Sequence, residues 1–287
     1  MSRRISVISA VVITLSMFTA GCDQTKQYAG FAQLGSTYAA AIDKLLVSAG
    51  TIKIDSTSEK LLADKKLAAP TLEAYRELTA VDEDRLKVIG KLRTHVQLMA
   101  RYFSALNDLA TSTAPEAAST AAAGAVQGLG QLGLKPSAGN IVAPIAKIVV
   151  SSVIRGALRN ELETRQVTIR TELTIQEKLI EELAGIVQHD VGEMRQKLEN
   201  RGVIAPLIAA GPIPNSDQWV ANRRTVLNLA AAPDELRNAS AAIKKLREAF
   251  ESLIEGKLTL DRVNSLLTDF SAILSVGETL NKDLGGK

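Results

Sequence analysis

From Ile145 to Arg201 the chain contains no proline, and within that run Ile169, Leu173, Ile180, Leu183, Val187, Val191, Met194 and Leu198 recur at spacings of three, four or seven. That period places the eight side chains on one face of a helix, whereas a strand would alternate at every second residue. Unbroken, the run spans about 85 Å at 1.5 Å per residue. Glu161, Glu163, Arg165, Arg170, Glu172, Glu177 and Lys178 surround the seam, the arrangement expected of coiled-coil-like packing. A helix of this length with one apolar face must bury that face on other helices. Gly202 follows as the expected stop.

The remaining chain carries the same period. Tyr28, Phe31, Gly35, Tyr38, Ile42, Leu45 and Ala49 form a stripe that ends at Gly50, a glycine in C′ position. Ile52 and Ile54 flank Lys53 in an alternation too short for a sheet. Ser56 and Glu59 have capping-box spacing ahead of Leu61 and Leu62, which predicts a second helix from about Ser56 with a bend or restart at Pro70. Leu72, Tyr75, Thr79, Leu86, Ile89, Val96, Met99, Phe103, Leu106 and Ala110 then follow one face. A fourth helix starts near Asn215 or Ser216, and Pro233 with Asp234 and Glu235 marks a restart. Gly256 closes that helix, and Thr259 caps a last one carrying Val263, Leu266, Leu267, Phe270, Ile273 and Leu274. With 46% hydrophobic residues the chain is too apolar for disorder. The expected fold is all-α, an elongated antiparallel helical bundle with long coiled-coil-like helices over residues 28–284.

The N-terminus reads differently. Arg3 and Arg4 precede an uncharged, mostly apolar run from Ile5 to Phe18, closed by Thr19-Ala20-Gly21 before Cys22. The run is too short for an ordinary spanning helix and has the layout of a secretory signal peptide. Thr19-Ala20-Gly21-Cys22 resembles the lipobox of bacterial lipoproteins, with Thr19 where leucine is usual. The resemblance implies that residues 1–21 are a signal peptide and that Cys22, the only cysteine, is acylated as the mature N-terminus. Residues 22–27 then form a short tether that holds the domain against a bilayer. The resemblance also implies a place in the bacterial cell envelope, on the extracytoplasmic side. Asp23 resembles the inner-membrane retention signal of enterobacterial lipoproteins and leans toward the periplasmic face of the inner membrane.

Two apolar stretches interrupt the pattern. Residues 117–158 form an Ala/Gly-rich insertion, with Gly124 and Gly128 in GxxxG spacing and a turn signal at Pro136, Ser137, Gly139 and Asn140. A membrane-inserting hairpin and a buried pair of helix segments both fit this composition. Each glycine costs a helix about 0.8–1 kcal/mol relative to alanine. Lys147 or Arg155 near a bilayer centre would cost about 2.5–3.5 kcal/mol. Both magnitudes favour buried packing. The second stretch, Val203 to Ala210 followed by Pro212 and Pro214, fits an exposed loop that binds a partner or dips into a membrane; a loop folded over the end of the bundle needs the same residues and is the expectation.

Catalytic chemistry finds little to stand on. Thirty-four Lys and Arg against 31 Asp and Glu make no electrostatic case for nucleic acid. One cysteine and two histidines leave almost no room for a Cys/His metal site. His189 and Glu193 lie four apart beside Asp190, but no second ligand-bearing helix motif accompanies them, and a solvated face is expected. His95 has no acid three or four residues away and is expected at the surface or its boundary. No nucleophile elbow, phosphate loop or paired-histidine zinc motif occurs. The expectation is a non-enzyme without metal or cofactor, anchored at Cys22 and binding an envelope protein through a long helical surface. The alternatives left open are a pore-forming or membrane-perturbing protein using residues 117–158, and a bundle that hosts a small hydrophobic molecule.

Overall fold

A computed structural model describes residues 6–63, 72–111, 115–131 and 153–284. Eight α-helices and one π-helical turn account for nearly all of them: α1 Ser6–Ala63, α2 Leu72–Thr111, α3 Pro115–Gln131, α4 Val153–Glu199, the π-helical turn Asn200–Ile204, α5 Ala205–Ile208, α6 Ser216–Leu229, α7 Ala232–Ile254 and α8 Leu260–Asp283. Among the described residues there is no strand. The fold is all-α, as the periodicity predicts.

The helix boundaries differ from expectation in two places, each for a packing reason. α1 runs through both Gly50 and Ser56 without a break. Gly50 lies where α2 approaches, and a Cβ there would sit 3.1 Å from Leu86 Cδ2. The close fit explains why a residue that costs a helix about 1 kcal/mol is kept inside one. Ser56 is buried mid-helix and caps nothing, while Glu59 reaches across to Arg201. The expected bend at Pro70 lies outside the described residues. The second difference is at Gly202, which continues the helical path as part of the π-helical turn instead of stopping it. Ala205 N–H bonds to Asn200 O, five residues back, and Pro206 has no N–H to give to Gly202. The freed Gly202 carbonyl accepts from Asn222 Nδ2 at 3.3 Å.

The other termini follow their sequence signals. Asn215 caps α6 by accepting from Gln218 N at 3.0 Å. Gly256, at φ 70°, follows α7, and Thr259 Oγ1 accepts from Arg262 N at 3.3 Å ahead of α8.

The chain forms two compact units. The first comprises residues 1–36, 98–171 and 246–267, the second residues 37–97, 172–245 and 268–287. In the first, Phe31 meets Phe103 edge-on with ring centroids 5.4 Å apart and lies 6.0 Å from Phe250. Gly35 allows this approach, since a Cβ would fall 2.3 Å from the Phe103 ring. α3 buries Ala118, Ala122, Ala125, Val126 and Leu129, and Gly128 lies under Leu98. The described part of the Ala/Gly-rich insertion thus packs inside the first unit. Its turn signal and Lys147 lie outside the described residues, and the side chain of Arg155 is not described. Among the described residues no helix is long and apolar enough to cross a membrane.

In the second unit the long helices alternate in direction along the chain, as expected of an antiparallel bundle. α2 runs antiparallel to α1, joined by Arg93–Asp43 and Thr57–Asp82. α4 runs parallel to α1, through Tyr38–Gln176, Lys53–Asp190 and Arg201–Glu59. α8 is also parallel to α1, with Tyr38 against Phe270 and Ser48 bonded to Asn281. α7 is antiparallel to α4, through Arg237–Gln188 and Ser240–Glu177.

Candidate functional site

The α4 seam is buried at all eight expected positions, and Gln176 fills the gap between Leu173 and Ile180 with no exposed surface. Around this amide the second unit assembles a polar array in its core. His95 on α2 donates from Nδ1 to Glu172 Oε1 at 2.8 Å. Gln176 Nε2 donates to the same oxygen at 2.6 Å, and Tyr38 on α1 donates its hydroxyl to Gln176 Oε1. Three helices therefore meet through one chain of hydrogen bonds. His95 is 0% exposed and its Nε2 has no hydrogen-bond partner among the described residues. Burial, with the negative Glu172 nearby, holds the Tyr38 phenol well above its ordinary range. Tyr38 stays a neutral donor.

Further along the same three helices lies an ion cluster. Asp190 of α4 pairs with Arg85 at 3.2 Å and approaches Lys53 at 4.0 Å. Lys53 is 3.6 Å from Asp82, which also accepts from Thr57 Oγ1 at 2.9 Å. Nearby, Arg201 grips Glu59 through Nε and Nη2. Burial first, and then the charge of Glu59, push the Asp55 carboxyl up to about 6. Asp82, Asp190 and Glu59 each have a cationic partner, as buried carboxylates must.

Each residue singled out in the sequence now has a place. Cys22 lies within α1, in a stretch whose side chains are not described. His189 is exposed, with Nε2 3.9 Å from Glu193 Oε1, while Asp190 turns inward to Arg85 and Lys53. The solvated face expected of these residues holds for 189 and 193, which share a face, while Asp190, about 100° round the helix, is buried. His95 corrects the expectation of a boundary position. Its acidic partner is 77 residues away in sequence, so no local spacing could reveal it. Glu161 and Glu172, expected on the flanks of the seam, are buried too. Glu161 is held by Arg165, yet burial outweighs that pairing and raises its carboxyl.

A His–carboxylate pair can relay a proton only where a substrate can reach it. Here both partners are sealed, and the open groove of about 400 Å³ lined by Leu98, Arg101, Ser104, Asp108, Ala121 and Gly124 belongs to the other unit. Among the described residues no three His, Cys, Asp or Glu side chains are grouped to hold a metal ion. The array ties α1, α2 and α4 together through buried hydrogen bonds.

Comparisons with known proteins find no family, no curated protein and no solved structure that matches this chain.

The surface holds what sequence reasoning placed inside. Leu72 and Tyr75, expected on the buried face of α2, are exposed, and so are Val81 and Val88. Val203 is buried, but Ile204, Leu207 and Ile208 are exposed, so beyond its first residue the apolar stretch does not fold its larger side chains against the bundle. The stretch is held from beneath by Trp219 Nε1, which donates to Val203 O at 2.9 Å.

Proposed function

We propose that the chain is a lipid-anchored envelope protein that binds another protein through its helical surface, as a structural or adaptor module. The observation that carries the binding half is Val81 and Val88 on α2, seven residues apart on one face and each more than half exposed. Residues two helical turns apart offer a matched pair of apolar knobs to a partner helix. The polar groups best suited to chemistry are sealed in the core, which leaves the surface as the working part. The anchoring half rests on Thr19-Ala20-Gly21-Cys22 after the uncharged run from Ile5 to Phe18. Acyl chains hold a protein at a bilayer because each buried CH₂ contributes about 0.8 kcal/mol.

Photo-crosslinking from position 88 in intact cells tests the binding half. A discrete adduct that disappears when Val81 is replaced by glutamate is expected. A smear of adducts unaffected by that replacement would sink the reading.

A further inference from the structure

We propose that the π-helical turn, α5 and the outer face of α6 form a membrane-contact surface that seats on an anionic bilayer. From Gly202 to Ser216 there is no charged residue, and Ile208 is 77% exposed with Leu207 at 58%. Two large aliphatic side chains so far out of the protein cost the folded chain their hydration unless something apolar receives them. α6 is clamped to this knuckle by Trp219 on Val203 O and Asn222 on Gly202 O, and buries Val226 and Leu229. At 100° per residue, the adjoining face carries Val220, Arg223, Arg224 and Leu227. All four are exposed.

The charge pattern selects the occupant. Asp217, exposed on the same face as Val220 and Arg224, is the one acidic residue from Gly202 to Pro233, so the two arginines leave this surface with a net charge of +1. Apolar side chains that enter the acyl boundary beside arginines that meet phosphate are the chemistry of an interfacial contact. A stable protein partner engages about 20–30 residues a side, far more than this knuckle presents. A bilayer sets no such minimum for a chain already held to it, so the choice of a bilayer as occupant rests on the anchored reading above.

Trp219 is the only tryptophan and sits on the knuckle, so it reports on this surface alone. The full chain, purified from membranes, is reconstituted into phosphatidylglycerol–phosphatidylcholine vesicles with either plain or brominated acyl chains. Trp219 emission should drop in the brominated vesicles. The Leu207→Glu/Ile208→Glu variant should lose that drop while its circular dichroism stays unchanged, and Arg223→Gln/Arg224→Gln should reduce it. Equal emission in the two vesicle types, or quenching that survives Leu207→Glu/Ile208→Glu, would overturn the proposal, and a partner protein would then be the better occupant. Mass spectrometry of Cys22 reads the anchor separately. A chain that carries the acyl group yet shows no quenching overturns the contact alone; an unacylated chain that is quenched overturns the anchor alone.

Discussion

The two histidines show how little residue type says about role without burial. His95 is sealed in the core on Glu172, while the side chain of His189 is 73% exposed. His95→Ala should leave the buried Glu172 carboxylate with one donor fewer and destabilise the fold by about 3 kcal/mol or more. His189→Ala should shift stability by less than about 0.5 kcal/mol. Urea midpoints of the two variants check both values, and equal midpoints would mean that the Glu172 bond adds nothing. Asp55 gives a pH signature. Its folded carboxyl keeps its proton up to about pH 6, against an ordinary value of 3.8. The folded state thus binds more protons between those limits, so this residue's contribution to stability falls as pH rises from about 4 to about 6. Asp55→Asn should remove that slope and raise the melting temperature at pH 7. A wild-type and variant pair with parallel melting-temperature profiles across that window would contradict the raised carboxyl.

At the scale of elements, α4 organises the second unit, because α1, α2 and α7 each bond to it. Its seam should be intolerant of charge. Leu183 is buried, so Leu183→Asp leaves an unpaired carboxylate in a packed interface and should cost about 3–5 kcal/mol. Glu182, next to it on the exposed face, should accept alanine with little change. Thermal melts of the two variants that coincide would show the seam to be loosely packed. The opposite lesson comes from the start of α2. There an apolar period of the same kind is left exposed at Leu72 and Tyr75, so period alone does not decide what is buried.

For the whole molecule, the anchor and the fold should separate cleanly. Cys22 precedes the first described side chains of the core, which begin at Phe31. Cys22→Ser should abolish incorporation of labelled fatty acid and release the protein from membranes, with an unchanged helical circular dichroism spectrum. Fatty acid retained by the variant would show that the lipobox resemblance misleads. The pairing of helices belongs to this scale as well. α1 lies parallel to α4 and α8 and antiparallel to α2, the alternation of an up-and-down bundle.

The sequence by itself determined that the chain is helical, where the α4 seam lies, and the caps at Asn215, Gly256 and Thr259. Those signals are local: a 3.6-residue period, or a side chain bonding to backbone three residues on. Only the tertiary structure decided that α1 continues through Gly50 and Ser56, that Glu172 and His95 meet in the core, and that Leu207 and Ile208 stay outside. Each of those outcomes depends on a partner far along the chain, or on the lack of a packed surface nearby. The free energy of a buried contact exceeds the fraction of a kcal/mol by which local propensities differ, so where the two conflict, packing prevails.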